Sequence, residues 1–310
     1  MIERALAPRR LAKLFALALA VAAPLSITGG DNPTALILLS MRIRPYEALA
    51  AKLASLLPGY KTKVESLDED PSAAQNLSAH SPSCIFTVGQ DALNRALPHR
   101  DDIPLYFTMV LSPPSGSGQP PAKLEGVAMI PSPKRQLSIL RSAFNMKKTI
   151  LFYNPEASGF LASLYGASCP GGMTCDEVAV ENEKQLLEWL KKGLEGYDGI
   201  ILIPDQALLT EEGIKALVAA SYEERVPMVA FSSLYLNMGA AVSISLPVDE
   251  IARQAAALAG GQDAAGQLAD GILYPETCEV VVNAKAERRV KLSVNEEKLK
   301  QYGGEREGTP

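Results

Sequence analysis

Cys84-Ile-Phe-Thr-Val-Gly-Gln-Asp-Ala-Leu93 and Gly199-Ile-Ile-Leu-Ile-Pro-Asp-Gln-Ala-Leu208 share one shape: an apolar run, a polar turn, then a helical pattern opening on Ala-Leu. They lie 115 positions apart, and each is followed by a second matched run, Ile103-Pro-Leu-Tyr-Phe107 and Val226-Pro-Met-Val-Ala230. The apolar runs from Thr34 to Ser40 and from Thr149 to Tyr153 make a third pair. Short apolar runs bounded by turn residues and alternating with helical patterns read as strands of a parallel sheet covered by helices. Meeting the same series twice in one chain predicts two similar doubly wound α/β lobes rather than one large sheet.

The remaining sequence is assigned around these strands. Residues 31–128, with a return near 248–275, are expected to form the first lobe, and residues 129–247, with 276–300, the second. Strands are expected over 62–67 and 126–130 in the first lobe, with helices over 46–57, near Ala73 and after Gln90. In the second, Asn182 followed by Gln185 is a capping-box pattern, and Leu186, Leu190 and Leu194 with Trp189 form one apolar helical face. Trp189 therefore reads as core. Residues 112–121, rich in Ser, Pro and Gly, read as a solvent loop. The charged, Gly-containing stretch 301–310 reads as a disordered tail.

Composition bounds the function. With 47% apolar and 21% charged residues the 310-residue chain can bury two cores. Arg4, Arg9, Arg10 and Lys13 flank the start of an uncharged run from Leu14 to Ala23, too short to span a bilayer comfortably, so residues 1–30 read as a secretory signal peptide. No cysteine follows closely enough for a lipid anchor. Removing the segment takes away four basic residues and one acidic one, moving the formal charge from −5 to −8. An acidic surface without a Lys/Arg cluster argues against nucleic acid and anionic membranes as partners. Export favours a disulfide between Cys169 and Cys175, which bracket Pro-Gly-Gly-Met-Thr, over free thiols; Cys84, at the start of an apolar strand, reads as a buried inert thiol, and Cys278 could be similar, the redox state of both staying open.

Signals for chemistry are sparse. The chain carries no nucleophile elbow, Walker loop, zincin motif or dinucleotide fingerprint, and its two histidines leave little for acid–base work. No catalytic residue, metal site or cofactor is assigned. In open parallel sheets ligands lie beyond the carboxyl ends of the strands. That rule selects Ser40, Arg42, Tyr46, Gly89, Gln90 and Thr108 in the first lobe, and Tyr153, Asn154, Asp205, Ser232 and Ser233 in the second, as candidate ligand-binding residues. Gln90, Asp205 and Ser232 could equally cap helices. Arg42, with Arg44 beside it, would suit a carboxylate, and Tyr46 could cover an apolar or aromatic ligand.

The chain also resembles a known family. Arg44-Pro-Tyr-Glu-Ala-Leu49, Val88-Gly-Gln-Asp-Ala-Leu93, Leu124-Glu-Gly-Val127 and Leu151-Phe-Tyr-Asn-Pro155, with Ile203-Pro-Asp205, Val226-Pro227, Gly239-Ala240 and Val281-Val-Asn283, are similar to the periplasmic substrate-binding proteins of ABC transporters, of the type that includes tryptophan and tyrosine binders. The likeness covers roughly residues 35–299. It departs at Gln90, where the family more often carries a small hydroxyl residue. The resemblance implies a type I periplasmic-binding fold with a hinge and an interlobe cleft, a small organic ligand such as an amino acid or related carboxylate, an ABC permease as partner, and a monomeric state. A ligand-gated sensor and a cofactor-independent two-lobed enzyme, such as a racemase with paired thiols, are the alternatives.

Overall fold

In the computed structural model, residues 32–71, 81–114, 124–262 and 265–307 are described. The expected signal segment and the helix near Ala73 lie outside them, as does most of the 112–121 loop. Two seven-stranded sheets organise the described chain. In the first lobe β1 (Thr34–Leu39), β2 (Lys61–Ser66), β3 (Cys84–Val88), β4 (Leu105–Thr108) and β5 (Leu124–Val127) are joined by β11 (Gly266–Ala269) and β12 (Ile272–Pro275), in the order β11-β12-β5-β4-β3-β1-β2. The second holds β6 (Lys148–Tyr153), β7 (Thr174–Ala179), β8 (Gly199–Ile201), β9 (Met228–Ala230), β10 (Val242–Ser245), β13 (Glu279–Asn283) and β14 (Glu305–Glu307), in the order β14-β13-β10-β9-β8-β6-β7.

The paired strands align as parallel neighbours, with Ile37 opposite both Val64 and Phe86 in the first sheet and Ile150 opposite both Asp176 and Ile200 in the second. Each sheet also contains one antiparallel pair, β11 with β12 and β10 with β13. The first follows from a tight reversal at Asp270-Gly271. The second arises because β13 enters its sheet directly from the first lobe.

Strand β1 shows why these runs are apolar throughout. Ala35, Ile37 and Leu39 pack with Leu49 and Leu53 of helix α1 (Arg44–Ser55), while Leu36 belongs to the cluster on the other face. Both faces are covered, so Ala35 to Leu39 are all apolar and buried. Helix α2 (Gln90–Ala96) adds Leu93 to the second cluster. At Gly126 the Phe107 ring lies over the backbone, and a Cβ there would fall 2.4 Å from it.

In the second lobe the helices are α3 (Pro133–Ala143), α4 (Pro155–Ser168), α5 (Glu183–Leu190), α6 (Glu211–Glu224) and α7 (Leu234–Met238). Asn182 caps α5 through Gln185 N–H at 3.1 Å, and the Gln185 side chain reaches back to the Glu181 N–H. Trp189 packs edge-on against Phe152 at 4.8 Å, as core. Helix α8 (Val248–Ala259) returns to the first lobe and packs on α1.

Two expectations are corrected. The helical pattern read at Ala207-Leu208 is a turn, because the Asp205 carboxylate accepts from the N–H groups of those two residues, whereas the helix expected to start at Thr210 is present as α6, capped by the Thr210 hydroxyl. The expected disordered tail is structured through residue 307: after α9 (Ala284–Val290) and α10 (Glu296–Gln301), β14 pairs in parallel with β13. Its charges are partners, not solvated ends, since Arg306 bonds Glu287 at 2.9 Å and Glu296 at 2.6 Å.

Candidate functional site

The chain passes between the sheets over 128–132, 246–247 and 276–278, leaving the carboxyl ends of both sets of parallel strands on either side of these crossings. One pocket gathers the ends. Val110 and Leu111 follow β4, Pro204 follows β8, Ala157, Phe160 and Leu161 come from α4, Ala128 and Ile130 from the first crossing, and Tyr274 from β12. Its lining is chiefly apolar, and its internal space for water is about 20 Å³. That is room for about one water molecule.

In the first lobe the structure brings Ser40, Tyr46 and Gly89 together. Gly89 has φ +95°, and a Cβ there would meet the Ser40 hydroxyl at 2.5 Å and the Tyr46 ring at 2.8 Å. The half-buried Tyr46 thus covers the turn after β3, and burial, with the nearby Asp91 charge, pushes its phenol upward. Ser40 Oγ accepts from Ala92 N–H at 2.9 Å, capping α2 from a different strand. Gln90 is engaged at both ends: Nε2 donates to Asn94 at 3.1 Å and Oε1 accepts from Ser112 N–H at 3.4 Å. Buried Thr108 donates to the Thr87 carbonyl at 3.0 Å.

Arg42 does not stand open for a carboxylate. Its guanidinium holds Glu69 at 2.6 Å and Glu47 at 3.5 Å, and its backbone N–H donates to Asp68. The acidic run 68–70, which looks like a solvated turn, supplies two of these partners. This pairing joins residues 27 positions apart and leaves no local sequence signature.

In the second lobe the expected residues are mostly structural. Asn154 caps α4 by accepting from Glu156 and Ala157, and its amide donates to the Glu181 carbonyl at 2.7 Å. Asp205 is 1% exposed, and its carboxylate accepts from Asn154 N–H, Ser158 Oγ, Ala207 N–H and Leu208 N–H. Tyr153 packs against the core at the end of β6. Ser232 accepts a long bond from Leu234 N–H at 3.4 Å, and Ser233 is exposed beside it. What the sequence reading missed is the apolar lining supplied by Val110, Leu111, Phe160 and Leu161. No single-residue signal marks these as anything but core.

Cys169 and Cys175 form a disulfide, with Cα atoms 6.1 Å apart, tying the end of α4 to β7. Cys84 is buried, and desolvation pushes its thiol up to about 11. Among the described residues, no group of three His, Cys, Asp or Glu side chains is gathered as a metal site would require, and no helix is long and apolar enough to cross a membrane.

No family model matches the chain, and no curated protein matches it in sequence. Solved structures do match in fold. A domain from Streptococcus pneumonia in complex with L-Trp aligns with TM-score 0.58 at 14% identity, over 88% of this chain and 99% of that one. The ligand-free, open structure of a Clostridium difficile substrate-binding protein with adhesive properties aligns with TM-score 0.62 at 14% identity, over 85% and 96%. A conserved domain protein from Vibrio cholerae gives 0.57 at 16% identity, over 89% and 100%. The architecture is therefore the two-lobed α/β fold that these solved structures share.

Proposed function

We propose that the chain is an exported solute-binding protein that captures a small organic molecule between its lobes by hinge closure and passes it to an ABC-type permease in the inner membrane. One observation carries this reading: the carboxyl ends of both parallel sheets converge on a single pocket at the place where the chain crosses three times between lobes. Such crossings are where two lobes rotate about a few residues. The fold likeness to a structure holding L-Trp supports a ligand between the lobes. The amino acid or related carboxylate expected from the sequence belongs in any ligand screen, and the protein is taken to act as a periplasmic monomer.

A two-lobed thiol enzyme fits less well. Such chemistry needs a thiolate, and Cys84 is held protonated by burial at the start of a strand while Cys169 is tied up in a disulfide. A sensor would use the same cleft and differ only in its partner. The test is native mass spectrometry of protein purified without refolding, followed by small-angle scattering with the retained compound. A bound small molecule and a smaller radius of gyration on its addition are expected. A ligand that binds without compaction would remove the closure mechanism.

A further inference from the structure

Several of the polar groups expected to hold a ligand are already engaged within the protein. Asp205 is saturated by four donors, Asn154 and Ser40 cap helices, Thr108 serves a backbone carbonyl, and Arg42 is paired with two carboxylates. A polyol or a zwitterion enclosed between lobes needs a partner for nearly every polar atom, because a polar group removed from water without one is costly. These facing edges have few to offer.

What they leave open is apolar. Six large hydrophobic side chains are exposed among the described residues, and three of them follow closely on the carboxyl ends of parallel strands. Met41 and Ile43, 42% and 40% exposed, follow β1 next to Tyr46, while Leu234, 59% exposed, opens α7 after β9; Met238, at the far end of α7, lines a separate groove with Leu209, Ile214 and Val218. The pocket at the crossings, lined by other residues, is apolar as well. Exposed apolar groups on both sides of a cleft lose their water when the lobes close on a matching surface, which favours closure around an apolar body.

Resting on the reading of the cleft as a small-molecule site, we infer that its ligand is a low-polarity organic molecule, aromatic or branched aliphatic, held chiefly by apolar contact and requiring neither a carboxylate nor an ammonium group. The Tyr46 hydroxyl and Ser233 supply the few hydrogen bonds it needs. Arg44, exposed at the start of α1 with no ion pair shown among the described residues, is the group that would serve a carboxylate if one were required.

Matched probes test this on the mature protein by titration calorimetry and small-angle scattering: indole against L-tryptophan, p-cresol against L-tyrosine, and myo-inositol as the polyol. Each ring compound is expected to bind at least as tightly as its amino acid, and inositol not to bind. Leu234→Glu, at an exposed position, should weaken indole binding tenfold or more, while Arg44→Gln should leave it within twofold. Amino acids binding tenfold tighter than their rings, inositol binding with compaction, or loss of binding in Arg44→Gln would each overturn the apolar class while leaving the solute-binding reading intact. Failure of all five compounds would also overturn it. A ring compound that binds without compaction would instead strike at hinge closure.

Discussion

The backbone N–H of Asn154 donates to the Asp205 carboxylate at 2.6 Å, so the ends of neighbouring strands β6 and β8 are joined by one buried side chain. The same carboxylate takes the Ser158 hydroxyl and two N–H groups of its own turn. A group placed this way is structural. Asp205→Ala strands several buried donors at once, and hydrogen bonds to a charged group contribute about 1.5–3 kcal/mol each. The ligand-free variant should lose about 3 kcal/mol or more, and for a chain of this size its melting midpoint should fall by roughly 5–10 °C. An unchanged midpoint in thermal unfolding would show that the carboxylate is free for other work.

Gly89 makes a sharper backbone test. Its φ of 95° and ψ of 167° belong to a region that is essentially restricted to glycine, costing about 1–3 kcal/mol for other residues. Gly89→Ala would in addition press a methyl group against Ser40 and Tyr46. Gly89→Ala with Tyr46→Ala relieves one collision but not the torsional strain. Chemical denaturation should therefore show a loss for the single variant that the second change restores only in part.

The strand runs at 35–39, 84–88 and 149–153 were legible because parallel strands covered on both faces are almost wholly apolar, with only the small, β-branched Thr87 and Thr149 among them. Their repetition in order made the two-lobed class readable. Strands β7 and β11 were not legible: they lie at or near sheet edges, carry exposed residues, and so lack an apolar run. The charged stretch around Arg306 misled for a related reason, since its ion pairs reach back ten and nineteen positions. At the site, topology alone locates the loops, because strand ends must lie where the strands stop. Which of their polar atoms are free is another matter. Ser40 and Ala92 are 52 positions apart, and nothing local in either says that the hydroxyl is occupied.

The Cys169–Cys175 bridge closes a ring with a sequence separation of 6 between α4 and β7. Loop-closure entropy for a ring this short contributes about 2 kcal/mol, modest because the unfolded ends are already close. Replacing both cysteines by serine should lower the melting midpoint by roughly 4–8 °C. Peptide mapping without reductant should recover the two linked peptides together. Alkylation of both thiols in native, oxidised protein would contradict the bridge.

Arg306 offers a test in which pH separates charge from packing. Its guanidinium bonds Glu287 and Glu296 in bidentate fashion, and these pairs hold β14 against the edge of the second sheet. Exposed ion pairs contribute little, but here Glu287 is mostly buried, so Arg306→Ala should cost about 1–2 kcal/mol at neutral pH. Hydrogen bonding to Arg306 holds the Glu296 carboxyl below its usual range. A carboxylate whose value is lowered by folding contributes stability above its unfolded value, and that contribution disappears as pH falls through the folded one. The gap between wild type and Arg306→Ala should therefore be full at pH 7 and shrink below about pH 4. Added salt should narrow it at pH 7 as well, since Glu296 is solvent-accessible. A gap independent of both pH and salt would mean that Arg306 acts by packing alone.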